Sequence, residues 1–168
     1  MINFLAILVF FIFVRFKLRE KFKEEMQNAM KSKDGVKLST LRLVLAAIKD
    51  RDLEYRSKGN GDKIPDSNIL EILSKMVKQR NESIVTFKKA KRNDLVDQEE
   101  KEIKVISEFL PKKLSSSELE DIIEDVINKT DAVSLRDLGK VMAEIKNKYA
   151  GRCDLAEVSN TLRKRLGG

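Results

Sequence analysis

The chain of 168 residues contains no histidine, no tryptophan, one cysteine, two prolines and seven glycines. Without histidine, neither a Ser-His or Cys-His nucleophile pair nor a His-assisted zinc site can be assembled within the chain. The lone cysteine, Cys153, excludes an intramolecular disulfide and argues for a reducing compartment. With no imidazole to serve as its base, it is read as a small turn residue. Neither a GxxxxGKS/T loop nor a GxGxxG loop occurs, so no nucleotide-binding site is expected. The shortage of proline and glycine, beside abundant Lys, Glu, Leu and Ile, leaves long stretches of helix-forming chemistry. An all-α protein of one domain or two small ones follows.

Charge is the next feature. The formal net charge is +7 and the isoelectric point is near 9.4, which directs attention to acidic partners, RNA or anionic lipid first.

The opening fourteen residues, MINFLAILVFFIFV, are apolar except for Asn3. As a helix they cover roughly 21 Å, short of the ~30 Å hydrocarbon core. The run lacks a positive n-region and an A-x-A-like cleavage site, and its basic residues Arg15, Lys17 and Arg19 follow it. Three readings stay open for residues 1–17: translation starting near Leu18, a short membrane anchor with its basic side in the cytoplasm, or a cleaved signal. A membrane enters as a partner only if the leader is genuine, and the expected location is otherwise the cytoplasm.

From Leu18 onward the chain is periodic. Leu18, Phe22, Met26, Ala29 and Met30 predict an amphipathic helix ending near SKDG, where Gly35 suits a left-handed end position and Asp34 can start the next helix. That next helix buries Leu38, Leu41, Val44, Leu45 and Ile48 and is apolar around much of its middle. GNGDKIP, residues 59–65, is the most breakable loop by composition, and Asp66 or Ser67 is expected to cap the third helix. Apolar spacing through Leu73, Met76, Val77, Ile84 and Phe87, and again through Leu95, Val96, Ile103, Ile106 and Leu110, predicts an antiparallel hairpin around the polar turn KKAKRND, stopped by Pro111. Between residues 75 and 92 there are seven basic residues and one acid; between 94 and 108 there are six acids and two lysines. Arg80 and Glu99 both fall on the apolar sides of their helices, but their distances from the turn differ, so a direct pair is not expected.

After Pro111, Ser115 with Glu118 forms a capping box, Ser134 with Asp137 a looser one, and Asp154 with Glu157 a third helix start. The expected organisation is therefore a four-helix lobe over residues 18–110 and a three-helix lobe over residues 111–168. Residues 136–165 hold eight basic residues against four acids. Lys146, Lys148 and Arg152 gather around the turn KNKYAGRCD, and Arg163, Lys164 and Arg165 follow near the end of the chain. This is a candidate phosphate-contacting patch. Tyr149 either stacks on a base or is partly buried beside the turn.

Three segments, KQRNESIVTF, RNDLVDQEEKEIKVISEFLPKKL and GKVMAEIKNKYAGRCDLAEVSNTLRKRL, resemble the GatB/YqeY family over about residues 18–166. LRLVLAAIKDRDLEYR fits the same family's first part. The sequence departs from the pattern at Phe109, where tyrosine is usual, at Lys113, where glutamine is usual, and at Cys153 and Leu155. The resemblance implies an all-helical fold of two lobes, related to the tail domain of GatB in the tRNA-dependent amidotransferase. That tail helps hold tRNA while other parts make the amide with ATP, Mg and glutamine-derived ammonia. The catalytic cradle and glutaminase are absent from this chain, so no catalytic residue, metal or cofactor carries over, and a carbon–nitrogen ligase role is association by family only. What carries over is an RNA-facing surface at Lys140, Lys146, Lys148, Arg152 and Lys164. The implied function is a non-catalytic tRNA-binding accessory module. The alternative is an adaptor that docks on an amidotransferase or aminoacyl-tRNA synthetase through the acidic helix over residues 115–125.

Overall fold

The computed structural model describes residues 18–167; the apolar leader and its three readings lie outside them. The described chain is all-helical: α1 (Leu18–Lys31), α2 (Gly35–Ser57), α3 (Asp66–Lys89), α4 (Asn93–Ser107), α5 (Ser116–Thr130), a 3₁₀ turn at Leu135–Asp137, α6 (Leu138–Tyr149) and α7 (Leu155–Leu166).

Caps explain most of the boundaries. The Asp34 carboxylate accepts from the Lys37 N–H at 2.9 Å and starts α2. The left-handed position expected at Gly35 falls on Lys33 instead (φ 57°). There the Asp34 N–H can return to the Ala29 carbonyl at 2.9 Å and close the end of α1. At α3 neither Asp66 nor Ser67 caps; Pro65 takes that place with extended backbone and no side-chain bond. Proline tolerates the site because an N–H there would have no partner in the helix. Ser115 and Glu118 form the reciprocal box before α5, with the Ser115 N–H donating to Glu118 at 2.8 Å. Asp137 accepts from the Ser134 N–H at 3.1 Å, and Asp154 accepts from the Ala156 N–H at 2.9 Å to start α7.

The hairpin of α3 and α4 is longer and tighter than its sequence suggests. Only residues 90–92 lie between the two helices, with Lys91 left-handed at φ 56°, because Lys88 and Lys89 remain helical where cations suit the C-terminal dipole. The shortened turn sets the register. Arg80 stands eleven residues before Lys91 and Glu102 eleven after, and their side chains meet at 2.6 Å. Arg80 also comes within 3.6 Å of Glu99, so the pair that counting from a longer turn had disfavoured is formed, with Glu102 as its main partner.

Two clusters of buried side chains follow. The first joins Phe22 of α1, Leu41, Val44 and Ile48 of α2, Ile69, Leu73 and Val77 of α3, and Val105 and Ile106 of α4. Phe109 closes it, its ring stacked on Phe22 with centroids 4.4 Å apart. The loop between α2 and α3 is less free than its glycines imply. Ile64 is buried within it, and Asp52 receives both the Ile64 N–H at 2.8 Å and the Arg19 guanidinium. The second cluster joins Ile123 and Val126 of α5, Ala132 just beyond that helix, Val141 and Ile145 of α6, and Val158 and Leu162 of α7.

Candidate nucleic-acid interface and the groove beside it

The five cations singled out by sequence have different fates. Lys146, near the end of α6, pairs with Glu71 of α3 at 2.9 Å. Arg152 donates from Nε to the Lys112 carbonyl at 3.2 Å, while its own carbonyl accepts the Leu114 N–H at 2.8 Å. Both therefore tie the second cluster of helices to the segment and helix before it. Lys148 pairs with Glu144 one turn back at 3.0 Å. Lys140 donates to the Thr130 carbonyl at 2.8 Å, satisfying an acceptor at the end of α5. Lys164 alone of the five makes no side-chain ion pair or hydrogen bond among the described residues, and the same holds for the side chains of its neighbours Arg163 and Arg165.

A fourth cation joins these three. A methyl placed on Gly167 would stand 3.4 Å from Leu135 Cδ1, so the end of α7 lies against the 3₁₀ turn that carries Arg136. Arg136 is exposed and also without an ion partner among the described residues. Leu135 thus reaches the end of α7, and Arg136 follows it in the same 3₁₀ turn. Sequence reading pointed to the run at 163–165 but had no means of adding Arg136, whose approach depends on the fold.

The turn KNKYAGRCD packs closely against α3 and Pro111. Gly151 is buried with φ at 77°, and a Cβ there would meet Leu70 Cβ and Pro111 Cδ at 3.1 Å each. Only glycine combines that backbone with that approach. Tyr149 is half-buried against the second core, and its carbonyl accepts the Arg152 N–H at 3.0 Å and the Cys153 thiol at 3.7 Å. Partial burial is thus the reading of Tyr149 that holds. Burial raises the Cys153 thiol above its usual range, with Asp154 adding to the effect, so thiolate is scarce at neutral pH.

Beside this turn runs an open groove of about 1280 Å³ lined by the end of α2, by α3, by residues 110–119 and by the start of α7. Lys78 crosses it to Asp154 at 2.9 Å. The Lys78 hydrogen bond holds the Asp154 carboxyl below the usual range, and the same bond raises Lys78. Lys75 and Lys113 line the groove as well and have no ion partner among the described residues. No group of three or more His, Cys, Asp or Glu side chains is arranged to hold a metal ion among the described residues. No described helix is long and apolar enough to cross a membrane.

This arrangement can be set beside known proteins. The family model of YqeY-like proteins matches residues 19–166. The chain belongs to the YqeY family. Among its relatives is altered inheritance of mitochondria protein 41 of Candida glabrata, described as mitochondrial. It is 34% identical over 100 residues, which are 60% of this chain and 53% of that protein. The protein of the same name from Saccharomyces cerevisiae strain YJM789 is 32% identical over 124 residues, 74% of this chain and 64% of the relative. An uncharacterised protein of Schizosaccharomyces pombe is 32% identical over 99 residues, 59% of this chain and 76% of its own length. The match with this YqeY-family chain thus spans 53% and 64% of the two named fungal proteins.

Proposed function

We propose that this YqeY-family chain is a non-catalytic RNA-binding accessory module, with tRNA as its RNA. The observation that carries the reading is that Arg163, Lys164 and Arg165 at the end of α7, and Arg136 in the 3₁₀ turn that reaches it, are exposed without acid partners among the described residues. Exposed, unpaired cations supply the sequence-independent part of RNA affinity. tRNA is chosen over other RNA because of the likeness to the amidotransferase tail. In this reading residues 18–110 and 111–168 act as two lobes, the second presenting the RNA surface through Lys164 and its neighbours, and the module works in the cytoplasm. Carbon–nitrogen ligase chemistry stays with the larger family members.

Binding of labelled bulk tRNA by fluorescence anisotropy over a salt series tests it. The wild type is expected to weaken steeply as salt rises. The triple variant Arg163→Gln, Lys164→Gln, Arg165→Gln is expected to lower the slope of log K against log salt by about 2 to 3. Absence of binding at low salt would end the proposal.

A second reading, an adaptor docking on an amidotransferase or aminoacyl-tRNA synthetase, is favoured by the outer face of α5. Glu120, Asp121 and Glu124 are exposed there with no ion partner among the described residues. Affinity capture with wild type and a Glu120→Lys, Glu124→Lys variant distinguishes it: a protein partner lost only in the variant supports docking through α5.

A further inference from the structure

Lys146 and Arg152, chosen from sequence as RNA contacts, are occupied by the chain's own oxygen atoms. So is Lys78, the first residue of the segment KQRNESIVTF. The two lysines that span the groove are held by carboxylates, the functional group that most resembles a phosphate in charge and hydrogen bonding. Both pairs are open to solvent. Lys146 and Glu71 are 33% and 35% exposed, and Lys78 and Asp154 are 57% and 40% exposed. Pairs of this kind hold weakly and are screened by salt.

What remains after they break is a joint. Gly151 packs closely on Leu70 and Pro111, and the Leu114–Arg152 backbone bond keeps the connecting segment in place. Each side of the joint has its own buried core, so the two can part without either unfolding. Lys75 and Lys113 line the same open groove without an ion pair, and so do the acids Glu82 and Glu157.

We propose that the groove between the two lobes is a second phosphate-binding surface, its Lys146 and Lys78 masked by Glu71 and Asp154 until the phosphates of RNA replace these carboxylates. The proposal rests on the RNA-binding reading above and adds to it a self-inhibited site. A polyanion displaces the two carboxylates because each phosphate contact also releases condensed counterions, a gain that an intramolecular carboxylate does not provide. RNA entry and separation of the lobes are then one event.

The test uses the full-length chain with Glu71→Gln and Asp154→Asn together; asparagine keeps an acceptor for the Ala156 N–H at the start of α7. A matched control, Asp121→Asn with Glu124→Gln, changes net charge equally on the outer face of α5. Bulk tRNA affinity is read by anisotropy. Lobe separation is read by energy transfer between dyes on Asp97→Cys and Glu120→Cys in a Cys153→Ser background. The groove variant is expected to bind about fivefold tighter than wild type, against less than about twofold for the control, and to show lower transfer before RNA is added. Wild type is expected to lose transfer as tRNA binds, and Lys78→Gln with Lys146→Gln to bind more weakly than wild type.

If wild type binds tRNA but the groove variant gains no more than the control and transfer does not change, the latch is overturned while the RNA reading stands. If no variant binds tRNA, both fall.

Discussion

Gly151 and Leu70 belong to different helical clusters, yet a single added carbon on Gly151 would stand 3.1 Å from Leu70 Cβ. The turn after α6 thereby reaches α3 by backbone, without an intervening side chain. Arg152 fastens the same turn to the Lys112 carbonyl, and Lys146 and Lys78 add ion pairs to either side. A stretch that reads as a cationic loop in sequence is the joint of the molecule.

Gly151→Ala is therefore expected to disturb the joint first and the cores second. A left-handed backbone costs a residue with a side chain roughly 1–2 kcal/mol, and the crowding at Leu70 and Pro111 adds to it. Small-angle scattering should report a larger radius of gyration at moderate salt, with urea unfolding shifted to lower concentration. An unchanged scattering profile would remove Gly151 from this role.

The Arg80 guanidinium lies between Glu99 and Glu102, with Arg80 and Glu102 each only 13% exposed. Arg80→Met leaves two poorly solvated carboxylates facing each other, a loss of about 2–3 kcal/mol. Lys88→Met, which removes an open pair with Glu100 whose partners are 61% and 56% exposed, should leave the urea midpoint almost unchanged. Equal effects from the two substitutions would contradict the register of the hairpin.

Glu99 supplies a pH test of that same site. Desolvation by burial raises its carboxyl above the ordinary range, only partly offset by Arg80. A carboxylate with a raised folded-state pKa favours the folded chain while protonated, and that contribution disappears as pH rises through the folded value. Glu99→Gln is accordingly expected to raise the urea midpoint at pH 7, the advantage fading below about pH 4 where wild-type Glu99 is itself neutral. A gain of equal size at both pH values would show that charge is not its cause.

Asp52 has the opposite sign. Burial pushes its carboxyl up, but the Arg19 guanidinium and the Ile64 N–H together bring it below the ordinary range. A lowered carboxylate stabilises the fold above its unfolded pKa, near 3.9, and loses that contribution as pH falls through the folded value. Asp52→Asn should thus be less stable than wild type at pH 7, with the difference narrowing below about pH 4. Thermal unfolding across pH 2 to 7 measures both curves.

Much of the architecture could be read along the chain because its signals are local. The apolar spacing of Phe22 and Ala29, of Leu41, Val44 and Ile48, and of Val158 and Leu162 needs only a helical period to make a buried face. Ser115, Asp34 and Asp154 act within three residues of themselves. Where a local signal was ambiguous the expectation slipped: Pro65 displaced Asp66 and Ser67 at the start of α3, and Lys33 took the conformation assigned to Gly35. The loop at residues 59–65 looked free because nothing near it in sequence announces that Asp52 will hold Ile64.

The helical class, the net positive charge, the lack of histidine and the family were settled by the order of residues alone, since each depends on composition or on neighbours a turn away. Which lysines remain available to a partner was settled by the tertiary structure. Lys146 and Glu71 are 75 positions apart, and whether two such charges meet depends on how α3 and α6 are brought together. That is why Lys146 is paired while Lys164, in an equally basic stretch, stays open to solvent.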